Sequence, residues 1–304
     1  MCPACIATAA WIAAGTSSAG VFFSLAVKLP RKSRLEHNRP KIATTTETST
    51  AAVLPYPLNG DQTMKTVTAI ESPHEIVSRE EWIEARRLHL AKEKALTRQR
   101  DELSRERREL PWVRVDKQYV FDGAQGKQTL ADLFDGRSQL IVYHFMFGPD
   151  WEQGCPSCSF LADHIDGSAV HLAQRDVTLL AVSRARVPQI EAFKQRMGWR
   201  FKWVSSYGND FNYDYQVSFT KEQIASGAKY YNYDITSYPS EEAHGTSVFY
   251  KDPAGDVFHT YSAYARGCDI LLGAYNWLDL APKGRDEDGL GFTMAWVRHH
   301  DRYD

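Results

Sequence analysis

Apolar and polar positions change rhythm near residue 111. Beyond it, short apolar runs alternate with amphipathic stretches. Residues 139–147 (QLIVYHFMF) and Val177–Ser183 (VTLLAVS) are almost continuously apolar, as expected of strands covered on both faces. Residues 112–121 alternate and end at Asp122-Gly123, a hairpin signal. Residues 201–205 predict another short strand. Residues 247–251 and 257–262 flank Asp252-Pro253-Ala254-Gly255-Asp256 as an antiparallel hairpin. Between these lie helical stretches at 130–134, 157–172, 187–197 and 268–280. Gly198 stands where the third should stop. The order fits a mixed sheet with helices on both faces. There are no internal repeats.

The preceding segment has a different pattern. Residues 78–110 predict one long helix, because no Gly or Pro interrupts the run before Pro111. Ser78 followed by Glu81 forms a capping box, and Glu80 and Glu81 suit the positive first turn. Leu96, Leu103 and Leu110 recur at sevens among many oppositely charged pairs. Two readings follow, an arm packed on the domain or an arm that forms a homodimer. Residues 35–77, rich in Thr, Ser, Pro and Ala, read as a flexible linker.

Residues 1–34 form an apolar head with a basic flank. The run 6–27 is long enough to cross a bilayer as a helix, although small residues outnumber Leu, Ile, Val and Phe in it. Lys28, Arg31, Lys32 and Arg34 follow at once. The positive-inside rule would keep that flank, and everything after it, in the cytoplasm. The alternative is an apolar extension ahead of a natural start at Met64, leaving 1–63 dispensable for folding.

Composition narrows the function. The chain is 43% hydrophobic and 24% charged, enough for one large core. A formal charge of −2 gives no ground for general nucleic-acid binding. Fifteen Tyr, fourteen Phe and eight Trp, nearly all after residue 110, mark that half as globular. The five cysteines are not spaced as a disulfide framework: Cys2 and Cys5 form one C-x-x-C, Cys155 and Cys158 another, and Cys268 stands apart.

The second C-x-x-C lies between a buried strand and a helix, the setting of a redox pair. A thiol at a helix N-terminus faces unpaired N–H groups and the positive end of the dipole, and both stabilise thiolate. Cys155 is therefore the expected attacking thiol and Cys158, one turn in, the resolving thiol. Pro156 suits the first helical turn and Gly154 a sharp approach to it. His144 on the preceding strand, with Asp150 and Trp151 before the loop, could line the pocket; a carboxylate at Asp150 would oppose thiolate formation. A lone strand histidine is more often a satisfied core residue. Zinc shared with Cys2 and Cys5 is the competing chemistry, but about 150 residues separate the pairs. No metal or cofactor is expected. Cys268 reads as a small core residue. The blocks 283–292 and 295–303 read as a tail packed over the domain, or as a rim around the cysteines.

The blocks YHFMFGPDWEQGCPSCSF (143–160), AVSRA (181–185), GWRFKWVSS (198–206), DFNYDYQVSF (210–219), SVFYKD (247–252) and LDLAPKGRDEDGLGF (278–292) closely resemble a bacterial family of uncharacterised thioredoxin-like proteins, domain of unknown function 899. The resemblance covers about residues 70–304. It implies an α/β fold: a thioredoxin-like three-layer α/β/α domain with a mixed sheet over 111–304, preceded by the charged helix and the apolar segment. It also implies a dithiol–disulfide oxidoreductase acting on a protein or small-molecule disulfide or thiol. Two departures from the wider pattern stand out. Thioredoxins place a cis-proline before the strand that faces the cysteines, whereas here Gly245 precedes Thr246 at that place. Peroxiredoxins use P-x-x-x-T-x-x-C, and Glu152 replaces the threonine. A non-catalytic binding module and a thiol peroxidase using Cys155 are the alternative readings.

Overall fold

The computed structural model describes residues 74–237 and 240–304. The apolar head, Cys2 and Cys5, and nearly all of the expected linker lie outside the described residues. Among the described residues, no helix is long and apolar enough to cross a membrane.

Helix α1 (Arg79–Arg108) begins with the capping box. Ser78 Oγ accepts from Glu81 N–H, and Glu81 Oε2 accepts from Ser78 N–H. None of its residues is buried, and ion pairs such as Arg86–Glu93 and Arg105–Glu109 line its surface. The elements that follow are β1 (Val113–Arg114), β2 (Val120–Gly123), β3 (Gly126–Thr129), β4 (Gln139–His144), α2 (Pro156–Ala162), α3 (Ile165–Ala173), β5 (Val177–Ser183), α4 (Val187–Met197), β6 (Trp203–Ser205), α5 (Phe211–Asp214), α6 (Lys221–Ser226), β7 (Lys229–Tyr231), β8 (Asp234–Thr236), β9 (Gly245–Lys251), β10 (Val257–Tyr264) and α7 (Gly273–Leu278).

One sheet runs in the order β1-β10-β9-β4-β5-β6-β2-β3. β4, β5 and β6 are parallel, while β9 runs antiparallel to both β4 and β10. Strand alternation splits the core in two. Tyr143 and Phe145 face a layer built on α2, α3, α4 and α7, with Phe160, Ile165, Phe193 and Tyr275. Leu140 and Val142 face the opposite layer, with Phe134 and Phe211. The described residues after α1 thus form a mixed α/β sandwich of the thioredoxin-like type.

Three expected elements are divided. Residues 112–121 are not one strand. β1 pairs with β10 at one edge and β2 with β3 near the other. The chain between them crosses the domain, anchored by Lys117 on Asp210 (2.9 Å) and Asp214 (2.6 Å). The hairpin turns at 124–125 rather than at Asp122-Gly123, and Gly126 takes the positive φ of 112°. The helix expected over 157–172 breaks at Asp163-His164 into α2 and α3. The helix expected over 268–280 is a 3-10 turn, Ala265–Leu271, followed by α7. At the start of α7 a Cβ on Gly273 would lie 3.2 Å from the His164 ring.

Candidate functional site

The site is built where β4 hands over to α2. After His144 the chain continues extended, and Phe145 N–H donates to Val182 O at 2.9 Å. It returns through Gly154. A Cβ there would stand 2.6 Å from Phe145 Cε1 and 2.9 Å from Phe193 Cε1, so the close approach needs glycine. Cys155 is the N-cap of α2, extended at φ −60°, ψ 130°, and Pro156 supplies the pre-set φ of the first helical position. Cys155 N–H donates to Met146 O at 3.0 Å, and Cys155 O accepts from both the N–H and the hydroxyl of Ser159 at 3.0 Å. Cys155 is half-buried. Cys158, one turn deeper, is 2% exposed, and its Sγ accepts from Met146 N–H at 3.5 Å. Neither is bridged.

The two thiols are tuned apart. Hydrogen bonding from the Cys158 thiol, helped by the N–H groups of Cys158 and Ser157, lowers Cys155 to about 7 against the opposing effect of burial. Burial, and the bond that Cys158 gives to Cys155, push Cys158 well above the ordinary thiol value. Asp150 is exposed, and the leading influences on Cys155 come from Cys158, burial and Ser157 instead. Tyr143, which the sequence reading missed as a site residue, hydrogen-bonds to Cys158, and burial holds its phenol protonated. Parity with Phe145, the residue that follows β4, is the signal that could have found it.

Other expected residues are placed differently. His144 is fully buried on the opposite face of the sheet from the cysteines, which corrects its assignment to the pocket wall. Its Nε2 lies 2.8 Å from Ser247 Oγ, and its ring stacks on Tyr215. Alternation along β4 forces this, since Tyr143 and Phe145 hold the cysteine face. Gly245 is also corrected: it is a packing glycine inside β9. A Cβ there would meet Tyr264 Cδ1 at 2.5 Å. Thr246 pairs with Tyr143 across the strands and stays on the cysteine side, its Oγ1 3.8 Å from Cys268 Sγ. Cys268 is buried, and burial raises its thiol to about 11. Trp151 is half-buried beside the loop and donates to Glu241 Oε1 at 2.8 Å. Glu242, buried one residue on, pairs with Arg184 at 2.9 Å.

The C-terminal tail packs back on the domain. Glu287 Oε1 accepts from Tyr275, Met294 N–H and Trp296, and His299 reaches Gly154 O at 2.9 Å. No spacing in the sequence signals that last contact, made across 145 residues. Among the described residues, no three His, Cys, Asp or Glu are grouped to hold a metal ion.

The family described as "Bacterial protein of unknown function (DUF899)" matches residues 71–303. No curated protein matches the chain. Among solved structures, peroxidoxin BcpB from Mycobacterium tuberculosis is 12% identical, with 54% of this chain and 94% of that chain covered at a TM-score of 0.36. A cysteine mutant of peroxiredoxin Q from Xanthomonas campestris is 16% identical, with 52% and 90% covered at 0.35. A cysteine mutant of PrxQ from Xylella fastidiosa is 15% identical, with 52% and 88% covered at 0.33.

Proposed function

The chain belongs to the bacterial DUF899 family, and from that premise we propose that it is a dithiol–disulfide oxidoreductase working through Cys155 and Cys158. The observation that carries the reading is the asymmetry of the pair: Cys155 half-exposed and lowered to about 7, Cys158 buried and raised. A thiol lowered in this way supplies thiolate near neutral pH. The thiolate attacks one sulfur of a substrate disulfide. A Cys155–substrate disulfide forms, the old S–S bond breaks, and the other substrate sulfur leaves as thiolate. Cys158 then gives up its proton and attacks Cys155 Sγ. The second substrate sulfur leaves, and the enzyme holds an intrachain disulfide. Two electrons pass to the substrate, and its thiolates take up two protons. An external dithiol, or two thiols in turn, resets the enzyme by the reverse steps and is itself oxidised to a disulfide. The substrate is a protein or small-molecule disulfide.

The test is a Cys158→Ser variant in the full chain. It should accumulate mixed disulfides on Cys155, while Cys155→Ser accumulates none. Oxidised wild type should lose two hydrogens in the 155–158 peptide and recover them under mild reduction. Free thiols at both positions after oxidation, or stoichiometric zinc on them, would sink the reading.

A further inference from the structure

The tail block 295–303 takes no part in the exchange just described, yet its two histidines hold the two ends of the cysteine helix. His300 Nδ1 lies 2.6 Å from Asp163 Oδ1, at the C-cap of α2. The same oxygen accepts from Trp199 Nε1 at 2.8 Å. His299, 2% exposed, reaches the other end, with Nε2 2.9 Å from Gly154 O. Its Nδ1 lies 3.2 Å from Arg196 Nη2. A guanidinium can only donate, so Nδ1 accepts and the ring proton sits on Nε2, where it is given to Gly154. Burial, with Arg196 and Arg302 nearby, outweighs Gly154 and Asp301 and keeps His299 below its ordinary value, so the neutral ring persists. Arg196 is itself fixed, by two bonds of 2.8 Å to Asp301 and one of 3.2 Å to Gln153 Oε1.

The acceptor matters. Gly154 O and Cys155 N are the two edges of one rigid peptide plane. Its N–H goes to Met146 O at 3.0 Å and its C=O takes the His299 proton at 2.9 Å. Held at both edges, the plane cannot rotate without losing a buried hydrogen bond. It fixes the backbone from which the Cys155 side chain projects toward the N–H groups of Ser157 and Cys158.

We propose that His299, through its hydrogen bond to Gly154, is a positioning residue for Cys155, which makes the C-terminal tail a working part of the thiol site. The inference rests on the dithiol reading above and deepens it.

The experiment is the pH midpoint of Cys155 alkylation, read by peptide mass analysis on the reduced full chain. His299→Phe keeps an aromatic ring against Phe193 but loses the donor. Its midpoint should rise by about one pH unit, roughly tenfold less thiolate at mildly acidic pH. His299→Gln, with an amide N–H to donate, should stay near the wild type. Asp301→Asn loosens Arg196 and should shift the midpoint the same way by less; it decides the matter if His299→Phe does not fold. Midpoints equal to wild type in His299→Phe and Asp301→Asn overturn the inference. So does a His299→Gln midpoint as high as that of His299→Phe, because bulk and not the donated proton would then matter. The oxidoreductase reading fails separately, if wild type forms no reversible Cys155–Cys158 disulfide.

Discussion

At the scale of single residues, the two sulfurs differ in what surrounds them rather than in their own chemistry. Cys155 meets the first N–H groups of α2 and the Cys158 thiol, whereas Cys158 is shut in. Between pH 7 and 9, alkylation should therefore label Cys155 well ahead of Cys158; equal labelling would remove the basis for their roles. Cys158 still has to ionise when it resolves a mixed disulfide. Two donors meet it there, Met146 N–H at 3.5 Å and the Tyr143 hydroxyl. A hydrogen bond to a forming anion contributes about 1.5 kcal/mol or more. Tyr143→Phe should thus slow decay of the mixed disulfide about tenfold and leave the first attack by Cys155 unchanged. Quenched time courses that separate the two steps check this, and equal slowing of both steps would refute it.

At the scale of elements, the cysteine loop was legible because its neighbours are local in sequence: a run of apolar residues, a glycine, a proline and two thiols. The capping box of α1 was legible for the same reason. What stayed hidden was set by contacts far along the chain. The helix after the cysteines breaks at Asp163, whose carboxylate receives Trp199 and His300. Residues 112–121 alternate like one strand, but their two ends pair with β10 and β3, and periodicity carries no information about which edge is reached. The joint between β4 and α2 is also a tertiary contact, because Gly154 fits between Phe145 and Phe193. Gly154→Ala should cost about 1–3 kcal/mol through overpacking. Denaturant unfolding would show it as a lower midpoint at unchanged slope; an unchanged midpoint would mean that the rings can move aside.

At the scale of the whole molecule, the sheet keeps two polar systems apart. The thiols occupy one face. On the other, His144 Nε2, Ser247 Oγ, Ser262 Oγ and His259 Nε2 form a chain with steps of 2.8, 2.8 and 2.7 Å. His144 Nδ1, at the inner end, is buried with no hydrogen-bond partner, so a charged ring there has nothing to replace water. Burial lowers His144 to about 3, with repulsion from His259 adding to it. In the unfolded chain the ring titrates near 6.5. Between these two values the unfolded state holds a proton that the native state refuses. Stability from His144 is therefore complete above pH 6.5 and is lost as pH falls toward 3, by up to about 5 kcal/mol. His259 is lowered as well and acts in the same direction. Glu242, raised to about 7 by burial, acts oppositely: it favours the native state below its unfolded value of 4.5 and loses that contribution as pH rises through 7. The informative quantity is thus the difference between wild type and His144→Gln, which leaves Glu242 untouched. Unfolding free energies from pH 3 to 7 should show wild type taking up about one more proton on unfolding than the variant. Parallel curves for the two proteins would mean that His144 already carries its charge in the native fold.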